Sequence, residues 1–460
     1  MTSSSYTFPK NFRWGVATAA YQIEGATRMD GCGPSTWDEL SHRPGGTRTG
    51  ENGDVACDHY HRYEEDIQLM ASLGIKHYRF SISWPRVIPE GTGAVNEKGL
   101  DFYNRLVDCL LANGITPHAT LFHWDAPLAL HEEYGGWRSR QMATDFADYS
   151  TLMVKTLGDR VTHWMTINEI PCFTIMGYGV GRRGEHAPGV MVDSWKEVWQ
   201  TIHHACLGHG LGVQAIRAAS PGDCTVSLVD NLASTVPLTE SPADVKAAQT
   251  AFQNAWCNGC ILFPVLTGNF SEPWLKEREA KGEMPEVLDG DLDIISTPVD
   301  GLGVNMYSGT YVRAADNEQG YEELPCSDFY PRLHMPWLNI VPESLYWAFR
   351  NVNEVCGFKK ELFVSENGCA NPDTLTFDGE VIDPERILYL RSYLRQVHRA
   401  VDEGYPVTGY FQWSFMDNFE WAWGYSRRFG LVYVNYNTLE RTPKESARWY
   451  AECIRQNRVV

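Results

Sequence analysis

The chain has 460 residues and a net charge of −19, from 39 Lys plus Arg against 58 Asp plus Glu. Such an acidic surface repels phosphate backbones and sets nucleic acid aside as a partner. Its composition, 43% hydrophobic and 21% charged, is that of a soluble globular protein, and no run approaches the ~18 apolar residues of a membrane helix.

In chain order, short β-branched or aromatic runs alternate with amphipathic stretches. Residues 13–21 read as a first strand, closed by Gln22. Residues 43–53 are rich in Gly and Pro and read as a long loop. Residues 63–73 carry apolar side chains at helical spacing, and Gly74 stops them. A second strand follows at 75–84. The helical design repeats at 100–113, with Phe102, Leu106, Cys109 and Leu110 on one side and Gly114 after it. Further strands are predicted at 116–123, 161–168, 225–231, 301–307, 362–366 and 407–413, and a second long loop at 181–189. His203, His204 and His209 fall in an apolar helical stretch and read as helix residues, not ligands. Strands alternating with helices imply a parallel sheet, and eight such units imply a closed barrel. The prediction is a single (β/α)8 TIM barrel over residues 1–460, with no linker, repeat or low-complexity tract.

The 12 cysteines are widely scattered and read as free thiols of a reducing compartment. Cys257 and Cys260 form a CxxC without the second pair that a zinc knuckle takes, so they read as two thiols in a helical region. Residues 1–10 show no basic segment followed by an apolar one. Together these features predict a cytoplasmic protein.

The chemistry is read from what ends each strand. Gln22, His123-Trp124, Asn168-Glu169, Asn305 with Tyr307, Glu366-Asn367 and Trp413 all stand where an apolar run stops. In a barrel these ends share one mouth. Amides, indoles and carboxylates converging there suit a sugar, whose hydroxyls take paired donors and acceptors and whose C–H faces stack on aromatic rings. Glu169 and Glu366 each close a buried run. Spacing alone leaves two readings open: structural ion pairs, the commoner use of buried glutamates, or the two facing carboxyls of glycoside hydrolysis.

Several ordered blocks then carry a resemblance. Residues 12–25 open Phe12-Arg13-Trp14-Gly15 and close Gln22-Ile23-Glu24-Gly25. Asp58-His59-Tyr60-His61-Arg62-Tyr63, Tyr78-Arg79-Phe80-Ser81-Ile82-Ser83-Trp84-Pro85-Arg86, His123-Trp124-Asp125 and Ser365-Glu366-Asn367-Gly368 follow in order. From about Phe8 to Tyr450 the chain resembles glycoside hydrolase family 1, the β-glucosidase family. One motif departs: where the family usually has Thr-Phe-Asn-Glu-Pro, this chain has Thr166-Ile167-Asn168-Glu169-Ile170, with the Asn-Glu pair intact.

The resemblance implies a retaining β-glycosidase with Glu366 as nucleophile and Glu169 as acid/base. Gln22, His123, Asn168, Trp413, Glu420 and Trp421 would grip the sugar, with Trp124 lining the same pocket. Arg79 and Tyr307 would hold Glu366 ionised, with Asn305 beside them, and Trp337 would form a platform for the leaving group. A retaining site places the two carboxyl groups about 5–5.5 Å apart. Phospho-sugar members carry a Ser, Lys and Tyr set after the eighth strand. Here Asn418-Phe419-Glu420-Trp421 stands there, so an unphosphorylated sugar is expected. Thioglucosidases of the family lack the acid/base glutamate, so an O-glycosidase is expected. Glucose is the expected glycone, released from cellobiose, oligosaccharides or aryl and alkyl β-glucosides, with β-galactosides and β-fucosides as side activities. No metal or organic cofactor is implied. The alternatives are a transglycosidase on the same site and a sugar-binding barrel without catalysis.

Overall fold

The computed structural model describes residues 6–327 and 329–460; the reading of residues 1–5 as free of a leader lies outside them. Eight parallel strands close into a barrel. They are β1 (Arg13–Ala17), β2 (His77–Ser81), β3 (Thr116–Phe122), β4 (His163–Asn168), β5 (Thr225–Asp230), β6 (Gly301–Asn305), β7 (Glu361–Asn367) and β8 (Val407–Trp413). Strands neighbour one another in chain order, and β8 closes on β1 with Trp413 opposite Ala17. Each strand is followed by a longer helix: α1 (His59–Ser72), α2 (Glu97–Ala112), α3 (Gln141–Leu157), α4 (Trp195–Ala219), α5 (Pro242–Asn254), α6 (Glu343–Glu354), α7 (Pro384–Asp402) and α8 (Glu445–Gln456). This is the (β/α)8 barrel that the sequence predicts.

The strands are buried almost throughout because helices cover them outside and side chains fill them inside. α1 turns Tyr60, Tyr63, Ile67 and Met70 inward, and α2 does the same with Tyr103, Leu106, Val107 and Leu110. Both helices stop by one device. Gly74 and Gly114 take left-handed backbone at φ 77° and 69°. Ile75 N–H then returns to the Met70 carbonyl at 3.1 Å, and Ile115 N–H to the Leu110 carbonyl at 2.9 Å. Each reversal feeds straight into the next strand.

Two predicted strands run too long. Beyond Ala17 the chain turns into a short helix, Ala20–Ile23, where the Ala20 N–H donates to Ser81 Oγ at 2.7 Å. Beyond Ser81 it turns into Trp84–Val87, with Pro85 in the first turn. Apolar runs do not distinguish a buried strand from a buried turn. Gln22 therefore lies on a helical turn just past β1.

His203, His204 and His209 lie on α4. His203 pairs with Asp291 at 2.7 Å, His204 meets the Trp137 carbonyl at 3.0 Å, and His209 meets Thr166 Oγ1 at 2.6 Å. All 12 cysteines are free. Cys257 and Cys260 are buried at a π-helical turn, Asn258–Leu262. Among the described residues, no group of His, Cys, Asp or Glu is placed to hold a metal ion, and no helix is long and apolar enough to cross a membrane.

Candidate active site

At the C-terminal end of the strands lies a cavity of about 530 Å³, lined in part by Glu169, Glu366, His123, Trp124, Tyr307 and Trp413. Trp337, Glu420 and Trp421 also line it, so nine of the residues expected from sequence share one wall. Gln22, Asn168, Asn305 and Arg79 are buried and do not line it.

Glu169 follows the last residue of β4. Its backbone is left-handed, at φ 46°, and its N–H donates to the Val229 carbonyl on β5 at 3.0 Å. This bond directs the residue out of the strand and over the mouth. Trp124 and Trp421 also take left-handed backbone, at φ 81° and 49°. Trp124 is held by its indole N–H, which donates to the Asn168 carbonyl at 2.8 Å. Glu366 lies within β7. Two residues on, Gly368 passes so close to β8 that a Cβ there would stand 1.7 Å from the Trp413 carbonyl oxygen. The absent side chain is what lets the Glu366 motif press against the eighth strand.

A hydrogen-bonded chain links the two carboxyl groups. The Arg79 guanidinium donates to Glu366 Oε1 through Nη1 and to Asn168 Oδ1 through Nη2, each at 2.6 Å. Asn305 Nδ2 reaches Asn168 Oδ1 at 3.0 Å and Glu169 Oε1 at 2.7 Å. Ser365 Oγ fixes the other end of the Asn305 amide at 2.7 Å. The Tyr307 hydroxyl donates to Glu366 Oε2 at 2.7 Å.

Burial raises both carboxyl groups, but their neighbours differ. The Arg79 charge and the Tyr307 hydroxyl oppose the rise at Glu366. At Glu169 the second-largest influence is the negative Glu366 itself, and the acid is pushed up to about 8. Of the pair, Glu366 therefore ionises first and Glu169 keeps its proton at neutral pH. Glu420 is also pushed up to about 8, by burial and then by Glu366 and Glu169. Of these three buried carboxyls, the one ion-paired to arginine carries the charge.

The buried polar atoms without a hydrogen-bond partner among the described residues include Gln22 Oε1, His123 Nδ1 and Glu420 Oε2. Burial and Arg79 hold His123 well below the usual imidazole range, so it is neutral. Asn168 Nδ2 meets His123 Nε2 at 3.1 Å, which leaves the ring proton on Nδ1. An amide oxygen, an imidazole N–H and a protonated carboxyl, each buried and unpartnered, are what a polyhydroxylated ring would satisfy.

Sequence reasoning missed Cys172. Its thiol donates to Glu169 Oε2 at 2.9 Å from the short helix Ile170–Thr174. The spacing Glu-x-x-Cys across a helix start was the available signal. It also missed Arg48 and Arg183, which line the mouth from loops, and Trp423, which lines it from the short 3-10 helix Trp421–Trp423.

The family model for glycosyl hydrolase family 1 matches residues 4–459. The chain is 44% identical over 460 residues to β-glucosidase A of Acetivibrio thermocellus, covering 99% of each. It is 43% identical to the 1,4-β-D-glucan glucohydrolase of Thermotoga neapolitana, covering 98% of each. A solved structure of the β-glucosidase of Thermotoga maritima in complex with glucoimidazole superposes with a TM-score of 0.87 at 41% identity, over 98% of this chain and 99% of that one. The chain belongs to glycosyl hydrolase family 1.

Proposed function

We propose that the chain is one catalytic domain, a retaining β-glucosidase that releases terminal glucose from unphosphorylated β-glucosides by double displacement. The observation that carries this reading is the asymmetry of the two carboxyls, one held ionised by Arg79 and Tyr307 and the other held protonated at about 8. Glu366 attacks the anomeric carbon as Glu169 gives its proton to the departing oxygen. Esterification removes the negative charge of Glu366, the pKa of Glu169 falls, and Glu169 then takes a proton from water as that water attacks the glycosyl-enzyme. Gln22, His123, Asn168, Trp413, Glu420 and Trp421 hold the glucose ring, Trp124 lines its pocket, and Trp337 flanks the leaving group. Asn305 spaces the two carboxyls. The relatives named as β-glucosidases support the choice of glucose. The free thiols support a reducing, cytoplasmic location.

Initial rates on 4-nitrophenyl β-glucoside, β-galactoside, β-fucoside and β-mannoside test the reading. The glucoside is expected to turn over with the highest kcat/KM. No turnover of any of the four would sink it.

The pH profile follows from the same asymmetry. Only protonated Glu169 can assist departure, so kcat/KM is expected to fall as pH rises through about 8. The Cys172 thiol hydrogen-bonds the ionised form of Glu169 and so favours proton loss. Cys172→Val therefore moves the alkaline limb to higher pH. A limb that stays in place or moves down would show that the thiol does not act on Glu169.

A further inference from the structure

Beside the catalytic cavity opens a second one of about 610 Å³, and Arg48, Arg183 and Glu185 stand in the wall that the two share. The chain as a whole carries −19, yet this junction is cationic. Arg48, Arg182 and Arg183 are exposed there. Glu185 is the only carboxylate paired with them among the described residues, 3.5 Å from Arg48 and 3.2 Å from Arg182. Arg183 makes no ion pair among the described residues. Arg427, which stands beside them, makes none among the described residues either; its Nη1 donates to the Ser426 carbonyl at 3.1 Å and meets His334 Nε2 at 3.3 Å, and its Nε is buried without a hydrogen-bond partner. The Arg48 and Arg427 guanidiniums lie 3.9 and 4.3 Å from the centre of the Trp423 ring, and Trp423 itself lines the catalytic cavity.

Three exposed arginines, Arg48, Arg182 and Arg183, line this entrance with Glu185 as the one carboxylate paired with them, which leaves positive charge at the mouth of a cavity whose glucose is neutral. Exposed arginines can serve solubility alone, but solubility is already supplied by the opposite charge elsewhere on this chain. A guanidinium binds a carboxylate through parallel hydrogen bonds, and the exposed indole of Trp337 in the wall of the same cavity favours an aromatic body. We infer that this junction is a subsite for a carboxylate carried by the leaving group, so that β-glucosides of aromatic acids are preferred over neutral ones of the same size. The inference rests on the β-glucosidase reading.

The test uses the full chain and two substrates, the β-glucoside of 4-hydroxycinnamic acid and that of its primary amide. The wild type is expected to favour the acid in kcat/KM by about fivefold, the factor that one good exposed ion pair supplies. That ratio falls toward one in about 1 M sodium chloride, where charges are screened within a few ångströms, and in the double variant Arg48→Gln/Arg183→Gln. Comparing the ratio between wild type and variant cancels the difference between the two phenols as leaving groups. Arg183→Gln alone, at an exposed position without an ion pair, serves if the double variant does not fold. A wild-type ratio near one overturns the subsite, and so does an acid preference that survives the substitutions and salt. Either result leaves the β-glucosidase reading standing if 4-nitrophenyl β-glucoside is hydrolysed. Failure on that substrate as well overturns both.

Discussion

Glu366→Gln is expected to lower kcat on 4-nitrophenyl β-glucoside by about 10⁴-fold or more, the scale of loss when a covalent nucleophile is removed. The amide keeps the shape of the carboxylate; its oxygen can still accept from Arg79 while its NH2 donates to the Tyr307 hydroxyl oxygen, so binding survives better than turnover. The substitution also removes the counter-charge of Arg79, whose side chain is fully buried. Breaking a buried ion pair from one side typically costs about 3–5 kcal/mol, so the unfolding temperature falls as well. Thermal unfolding measured beside initial rates separates the two effects. A folded variant that retained more than about 1% of the wild-type rate would exclude Glu366 as the nucleophile.

Glu169→Ala behaves differently, because its effect depends on the leaving group. With a poor leaving group, kcat/KM is expected to drop by about 10²–10⁴-fold, the range of a general acid. With 2,4-dinitrophenolate, which departs without a proton, formation of the glycosyl-enzyme stays fast and water attack becomes limiting. Azide needs no general base and restores turnover, giving β-glucosyl azide. An α-configured azide would mean that no covalent intermediate forms, and absence of rescue would remove Glu169 from the acid/base role.

Much of this site could be read from the sequence because catalysis demands rare coincidences at strand ends. Glu169 and Glu366 each close an apolar run, and a barrel brings such ends together whatever the loops do. His123, Trp413 and Tyr307 follow the same rule. Strand lengths were less legible: residues 18–21 and 82–84 are as apolar as a strand but fold into turns, where Ser81 and Pro85 decide the backbone. Side-chain direction was legible only in part. Nothing in the sequence separates Asn168, whose amide is engaged by Arg79, Asn305 and His123, from Trp124, which lines the cavity. Arg48 and Arg183 were out of reach because their loops, at 43–53 and 181–189, meet through tertiary contacts that no periodicity encodes.

The left-handed backbone at Trp124, Glu169 and Trp421 has a consequence for how such a chain can change. For a residue with a Cβ this conformation costs roughly 1–2 kcal/mol, and glycine adopts it freely. At each of these positions glycine would relieve the backbone and erase an indole or carboxyl that lines the cavity. Selection for robustness alone would drift toward glycine there. That the chain instead carries two tryptophans and a glutamate marks the rim as a place where function is held against the local preference of the polypeptide, with the barrel wall beneath it absorbing the difference.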